Sequence, residues 1–287
     1  MKKCAFLTLD QRGDYVIDDE HAIAPLEQLG WVVSTLSWRQ TDIPWSDFDA
    51  VVIRSTWDYW NDVPAFLDTL SAIDRQARLE NPLEMVQWNL VKTYLADLES
   101  SGIGIVPTLW PAVVSVESFP EFFGRLGCSE LVIKPIVGAN GDDAYRVSAD
   151  DPVERLTRIS GRFGNRKALV QPFMPRILTE GEYSLFFFNG EFSHAILKTP
   201  TGTEFRSQEE RGGEITSVVP DERLLYRGLQ ALAVLSTVPL YARADFVRNE
   251  KNDFVVMELE LIEPSMYLRT HPDAPARFAQ AIDRRFG

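Results

Sequence analysis

A lysine set inside an apolar run is the first pattern with chemical content. Leu131-Val132-Ile133-Lys134-Pro135 reads as a buried strand carrying one cation, and Gly138-Ala139-Asn140-Gly141 follows it closely. A buried ammonium is costly unless an anion meets it, and a glycine-bearing loop exposes backbone N–H groups that cover phosphate oxygens. Together the two features describe an anion site; alone, Lys134 reads as an edge-strand lysine with its head in water. No GxxxxGK[ST] loop is present and no GxGxxG follows a strand, so the two commonest nucleotide signatures are absent.

Asp245, Glu258 and Glu260 form the second pattern. Glu258 and Glu260 are two apart, so on a strand both point to one face, and Asp245 falls on the preceding strand of the same hairpin. Like charges held this close repel, and Mg²⁺, which takes hard oxygen ligands with phosphate as co-ligand, relieves that repulsion. The plainer alternative is a solvated acidic strand face. Arg243 shares the Asp245 face and could hold an oxyanion beside the metal. Arg54 and Asp58 flank a turn at a strand end and could meet the carboxylate and ammonium of an amino acid, with Trp57 and Tyr59 as apolar walls. A structural ion pair packed under a lobe interface is the alternative there. Ser265, just past the acidic strand, could donate to substrate.

The elements that must position these residues start with alternation of strand and helix. Cys4 to Leu9, Trp31 to Leu36 and Ala50 to Ile53 read as strands; Ala22 to Leu29 and Val63 to Ala77 read as helices, the first opened by Asp18-Asp19-Glu20 and ended by Gly30. This predicts a doubly wound α/β domain, whose ligands sit beyond the carboxyl ends of the strands, where Asp10 and Arg54 to Tyr59 fall. Past Asn81 the pattern turns α+β: a helix from Asn89 to Ser101, a turn at Gly102 to Pro107, and short strands between glycine-containing loops. A helix from Asp221 to Thr237, strands at Leu240–Val247 and Asp253–Leu261, and a helix from Pro275 to Phe286 close the chain. With 287 residues, 45% of them hydrophobic, the chain has core enough for two or three lobes. A formal charge of −13 argues against nucleic acid and anionic membrane as partners. Cys4 and Cys128 fit no metal spacing or disulfide framework, and no signal peptide or spanning segment is evident, so a cytoplasmic protein is expected.

In their order and spacing, RSTWDY, NPLEMVQWNLVKTYL, VIKPIVGANG, QPFMPRILTEGEYS and ELELIEPS resemble the ATP-grasp superfamily, which includes glutathione synthetase, D-alanine–D-alanine ligase and biotin carboxylase. Within it they look like the branch containing the cyclo-ligase of cycloserine biosynthesis. The resemblance implies an ATP-grasp fold: an N-terminal substrate-side domain over 1–88, a central lobe over 89–175 and a C-terminal lobe with the metal site over 176–287. It implies ATP and Mg²⁺ (or Mn²⁺) as cofactors and an amino-acid-like small molecule as substrate. Lys92 and Lys134 match the nucleotide-contacting lysines, and Gly138 to Gly141 the loop over the phosphates. Gln171, Phe173 and Met174 match the segment that reads adenine, and Glu180, or alternatively Glu182, the ribose partner. Arg206, in Thr203-Glu204-Phe205-Arg206, matches an arginine at the transferring phosphate, with Gly212-Gly213 ending a mobile loop, and Asp245, Glu258 and Glu260 match the metal ligands. Glu260 departs from the asparagine of glutathione synthetase and D-alanine–D-alanine ligase. The activity implied is ligation of a carboxylate to an amine through an acyl phosphate, intermolecular or ring-closing. That chemistry needs no histidine base, so His194 and His271 are left out. Two rivals stay open: a kinase-like phosphoryl transferase and a protein that binds nucleotide without turnover. Oligomeric state is not legible.

Overall fold

The computed structural model describes residues 1–164, 166–202 and 204–287; Thr203, which opens the Thr203–Arg206 motif, lies outside the described residues. The N-terminal layer runs β1 (Lys2–Thr8), α1 (Ile23–Gln28), β2 (Trp31–Ser37), β3 (Ala50–Ser55), α2 (Val63–Asp74) and β4 (Leu79–Glu80). Its four strands are parallel in the order β2-β1-β3-β4. Alternation along β1 explains the burial on both sides: Cys4 and Phe6 enter one core cluster, Ala5 and Leu7 another. The Asp62 side chain caps α2 by accepting from the Ala65 N–H, with Pro64 in the first turn.

The middle of the chain holds α3 (Leu83–Asn89), α4 (Tyr94–Ser100), α5 (Phe119–Leu126), β5 (Glu130–Pro135), β6 (Tyr145–Ser148), α6 (Val153–Phe163) and β7 (Ala168–Pro172). Strands β6-β5-β7 form an antiparallel sheet. The helix expected from Asn89 to Ser101 is two helices separated by a turn at Leu90 to Thr93, and the Lys92 N–H donates to the Ile136 carbonyl, tying that turn to the end of β5. Helices α5 and α6 were not expected from the sequence. The remainder runs α7 (Arg176–Thr179), β8 (Glu182–Phe188), β9 (Glu191–Thr199), β10 (Glu214–Val218), α8 (Glu222–Ala233), β11 (Tyr241–Arg248), β12 (Phe254–Glu260) and α9 (Ala274–Phe286). Its five strands are antiparallel in the order β10-β9-β8-β11-β12. The last helix does not stay with that sheet alone: Phe278, Ala281 and Ile282 pack in one cluster with Cys4, Phe6 and Leu26, so 274–286 joins the N-terminal layer. Among the described residues no helix is long and apolar enough to cross a membrane.

Strand β12 ends its sheet, and an edge strand leaves backbone groups unpaired. Here the backbone of Gly104 and Val106 pairs with Val256, and side chains cover the part nearer Glu260. Asn89 Nδ2 donates to the Leu259 carbonyl (2.7 Å) and its Oδ1 accepts from the Leu261 N–H (2.8 Å), while the Leu259 N–H donates to Tyr94 Oη (3.0 Å). Asn81 Nδ2 donates to the Leu261 (2.7 Å) and Tyr241 (2.9 Å) carbonyls and its Oδ1 accepts from the Leu240 N–H (2.7 Å). Asn81 is fully buried, so its loss strands three backbone groups. Asn81→Ala is expected to cost on the order of 2–5 kcal/mol, seen as a lowered urea midpoint; an unchanged midpoint would remove this clamp from the account.

Candidate active site

A cleft opens between the β6-β5-β7 sheet and the five-stranded sheet, and its two ends differ in chemistry. Val106, Val132, Phe173, Met174, Ile177 and Met257 line one end. Gln171 sits beside them, its Nε2 donating to Thr108 Oγ1 (3.0 Å), and the Phe173 N–H donates to the Glu130 carbonyl (2.9 Å), which fixes the connection leaving β7. This is a slot for a flat apolar ring with backbone at its rim.

The other end is a row of charges made by strand register. Glu182 on β8 lies opposite Lys198 on β9, Asp245 on β11 opposite Ser184 on β8 and Glu258 on β12, and Arg243 on β11 opposite Glu260 on β12. Opposed residues share a face, so the sequence's placement of Arg243, Asp245, Glu258 and Glu260 together holds. The register shifts beside Asp245, leaving Met257 without a partner; this bulge lets Met257 and Glu258, adjacent in sequence, both line the cleft. Lys134 reaches Glu258 Oε1 at 2.6 Å from β5, and Lys92 reaches Oε2 at 3.0 Å from the α3–α4 turn. Arg243 pairs with Asp245 (3.0 Å) and Glu260; Lys198 pairs with Glu182 and lies 3.6 Å from Asp245.

Ionisation follows from burial set against these partners. Burial pushes the Glu258 carboxyl up, but Lys134 and Lys92 outweigh it and hold the group well below the usual carboxylate range. Burial likewise acts on Asp245, and Arg243 with Lys198 brings it below the usual value. Glu260 goes the other way: burial, opposed by Arg243 but reinforced by Asp245 and Glu258, pushes it up to about 7. Glu263 rises to about 8 through burial and the neighbouring Glu260.

The glycine loop is folded down over this end. Gly141 has φ +64°, and a Cβ there would meet Arg206 Cδ at 3.1 Å and Gln208 Oε1 at 3.2 Å. Arg206 Nη1 donates to the Gly141 carbonyl (3.3 Å), and Arg211 holds the Asn140 carbonyl (3.2 Å) and Asp142 (2.6 Å). Asn140 also donates to the Tyr15 hydroxyl of the N-terminal layer (3.1 Å). Gly212 adopts φ +84°, but Gly213 is required by packing, since a Cβ there would collide with the Ser207 carbonyl. Arg206 is held at 2.7 Å by Glu204, whose carboxyl that arginine lowers to about 2.

Most residues singled out from the sequence line this cleft: Trp57, Lys92, Lys134, Gly138, Gly141, Gln171, Phe173, Met174, Glu182, Arg206, Arg243, Asp245, Glu258, Glu260 and Ser265. Three do not. Glu180 lies off the cleft, held by Arg248 (2.8 Å) and Tyr183 (2.9 Å), which leaves Glu182 as the acid of the two that lines the cleft. Asp58 accepts from Trp38 Nε1 (2.6 Å) and Arg39 (3.1 Å) instead of standing beside Arg54. Arg54 is buried against Asp19 (2.9 Å) and the Pro264 carbonyl (2.8 Å), over the Tyr241 ring, so it supports the loop after β12 and does not line the cleft. Asp245 lines the cleft but is spent on Arg243, Lys198 and a bond from Ser184 (2.5 Å), and among the described residues no three acidic, histidine or cysteine groups converge on a metal position. Glu258 and Glu260 also hold cations, but their carboxyls are more open to the cleft than that of the buried Asp245, so they are the hard oxygen donors that Mg²⁺ with phosphate co-ligands could reach. Lys198 and Glu263 were missed; a lysine directly after the apolar Ala195–Leu197 run was the available signal for the first.

Comparison with known proteins bears on what this cleft does. Residues 4–81 match the family described as D-cycloserine synthetase DcsG, N-terminal domain, and residues 113–226 match the prokaryotic glutathione synthetase ATP-grasp domain. The cycloserine biosynthesis protein DcsG of Streptomyces lavendulae is 31% identical over 277 residues, covering 90% of each chain. The chain belongs to the ATP-grasp superfamily. A crystal structure of D-cycloserine synthetase DcsG superposes with a TM-score of 0.88 at 29% identity, over 99% of this chain and 100% of that one. D-Alanine–D-alanine ligase from Bacillus anthracis, complexed with ATP, shares the fold at a TM-score of 0.71 and 16% identity, over 100% of this chain and 97% of that one. By this membership the protein is an ATP-dependent, ADP-forming ligase that makes an amide-type C–N bond on an amino-acid-like substrate.

In this ATP-grasp ligase the raised Glu260 carboxyl carries a stability consequence. Its folded value of about 7 stands above the ordinary 4.5, so across that interval the unfolded chain ionises while the folded one keeps its proton, and stability falls as pH rises. Glu260→Gln removes this penalty and leaves Arg243 paired with Asp245. In EDTA the variant is expected to gain on the order of 1–3 kcal/mol at about pH 8 and nothing at about pH 4. A thermal-melt series across pH checks this, and a gain independent of pH contradicts it.

Proposed function

We propose that the protein activates the carboxylate of a small amino acid as an acyl phosphate and that a nitrogen of the same molecule captures it, closing a ring. The observation that carries this reading is the pairing of Lys92 and Lys134 on one carboxylate, Glu258, beneath a glycine loop. Two lysines held ready by an internal acid can turn to the α- and β-phosphates of ATP with no net cation brought in from solvent. Adenine takes the apolar slot beside Gln171, Phe173 and Met174, and Glu182 accepts from the ribose hydroxyls. Mg²⁺ fits Glu258 and Glu260 with phosphate as co-ligand, and when bound it neutralises charge on the transferring phosphoryl group.

The chain's own part is positioning and charge stabilisation. Arg206 and Arg243 face the γ-phosphate, where a substrate carboxylate oxygen attacks phosphorus and ADP leaves. The nitrogen then attacks the acyl carbon, inorganic phosphate leaves, and the nitrogen's proton passes to solvent or to a cleft carboxylate. The glycine loop, latched by Arg206, Arg211 and Tyr15, excludes water that would hydrolyse the acyl phosphate. A kinase reading is disfavoured because the cations that line the cleft among the described residues, Lys92, Lys134, Lys198, Arg206 and Arg243, are the ones the triphosphate of ATP would draw on, leaving no further lysine or arginine for a second phosphorylated substrate. A non-catalytic reading is disfavoured because Lys134, Arg206, Asp245, Glu258 and Glu260 all reach one cleft. The ring-closing option draws on the DcsG relative, whose name contains a cyclic amino-acid derivative.

Phosphate release from ATP and Mg²⁺ is the test, with pooled amino acids and with β-aminooxyalanine, the acyclic form of the cycloserine ring. Each assay is run with and without hydroxylamine. Carboxylate-dependent release, hydroxamate from the pools, a cyclic product from β-aminooxyalanine, and loss of at least about 100-fold in Lys134→Met are expected. Phosphorylation of a hydroxyl without hydroxamate would move the protein to the kinases.

A further inference from the structure

The loop after β12 presents a carboxylate that the chemistry above does not use. Glu263 lines the charged end of the cleft. Glu182, Asp245, Glu258 and Glu260 each hold a lysine or arginine, but Glu263 has no cation within salt-bridge distance among the described residues. Glu210, the other unpaired acid of the cleft lining, is exposed. The position of Glu263 is also built. Trp57 Nε1 donates to its carbonyl (2.7 Å), Arg54 to the Pro264 carbonyl (2.8 Å) and Arg243 to the Ser265 carbonyl (3.3 Å), so three side chains fix the backbone that carries it.

We propose that Glu263 receives the α-ammonium of the substrate and thereby restricts this ligase to α-amino acids. The proposal rests on the acyl phosphate reading, because that reaction sets where the ammonium must be. A carboxylate attacking the γ-phosphate sits beside Arg243 and Glu260, and covalent geometry puts its own α-nitrogen only roughly 3 Å away. The ammonium's partner therefore belongs to the same wall. Glu263, three residues past Glu260 and within the electrostatic reach of Glu260, Lys92 and Arg243, stands there. The Glu263 carboxyl is half-buried with the Tyr59 side chain as its hydrogen-bond partner and no cation to balance it, so its charged form gains most when an ammonium arrives and binding energy is withheld from acids that lack the amine.

Hydroxamate formation decides the matter, using two matched sets: α-amino acids, and the corresponding acids without the α-amine. Wild type is expected to activate members of the first set only. Glu263→Gln is expected to raise KM for those amino acids about 10–100-fold, to narrow the preference over des-amino acids, and to leave the dissociation constant for ATPγS unchanged. Glu263→Asp, which keeps the charge on a shorter arm, should recover part of the preference, and thermal melts confirm that both variants are folded. Activation of both sets by wild type, or an unaltered amino/des-amino ratio in Glu263→Gln, overturns the role of Glu263 while leaving the acyl phosphate reading standing. Absence of hydroxamate from both sets overturns that reading, and the proposal for Glu263 falls with it.

Discussion

A row of charged side chains crosses one face of the five-stranded sheet, and none of them could be buried there alone. Four cations, Lys92, Lys134, Lys198 and Arg243, are matched to four carboxylates, Glu182, Asp245, Glu258 and Glu260, from four strands and two neighbouring elements. The pairing satisfies burial, yet a buried ion pair adds little net stability over apolar packing. Its value is that each cation is already desolvated, oriented and held by a partner that can be exchanged. On the proposed reading, a magnesium–nucleotide complex would bring phosphate oxygens for the lysines and a dication for the carboxylates, so binding would replace one set of pairs with another.

That exchange requires the carboxylates to keep their places, and β12 is an edge strand. The covering of its outer edge by Asn81, Asn89 and Tyr94 supplies the rigidity, because these side chains satisfy backbone groups on either side of Glu260. Tyr241 continues the clamp: its hydroxyl lies 2.7 Å from both the Ile53 and Ile262 carbonyls and shares its one proton between them. The substrate-side layer is therefore part of the charged site's foundation, and α9 packing back onto β1 closes the same connection from the other end of the chain.

Local periodicity made the centre of the site legible. Glu258 and Glu260 needed only the two-residue repeat of a strand, and Lys134 only its apolar neighbours. The errors have a common physical origin in partners distant along the chain. Arg54 and Asp58 look like a local pair, but Asp19 lies 35 residues from Arg54 and Pro264 lies 210 away, and both outcompete Asp58. Glu180 and Glu182 differ by two residues, yet Gly181 at φ +109° breaks the strand geometry between them, so only Glu182 inherits the facing of β8. Helices α5 and α6 escaped notice because each is short and carries a glycine, Gly124 or Gly161, that reads as a loop signal, while Pro120 in the first turn of α5 reads as a breaker. Nothing near 274–286 indicates which sheet that amphipathic helix covers, and its packing against both β1 and the five-stranded sheet was not legible in the sequence.

The last constraint is water. The proposed acyl phosphate would survive only in a closed cleft, and the glycine loop is the element folded over its charged end. Its contacts come from two directions: Arg206 and Arg211 from the segment between β9 and β10, and Tyr15 from the loop after β1. Tyr15 in turn packs edge-on against Trp57 at 5.1 Å, and Trp57 grips the carbonyl of Glu263. The residues that hold the backbone of Glu263 and those that hold down the glycine loop thus form one contiguous chain of contacts. On the reading proposed above, a substrate seated against Glu263 and Trp57 would strengthen the surface on which Tyr15 rests, coupling closure of the loop over nucleotide to the presence of the amino acid.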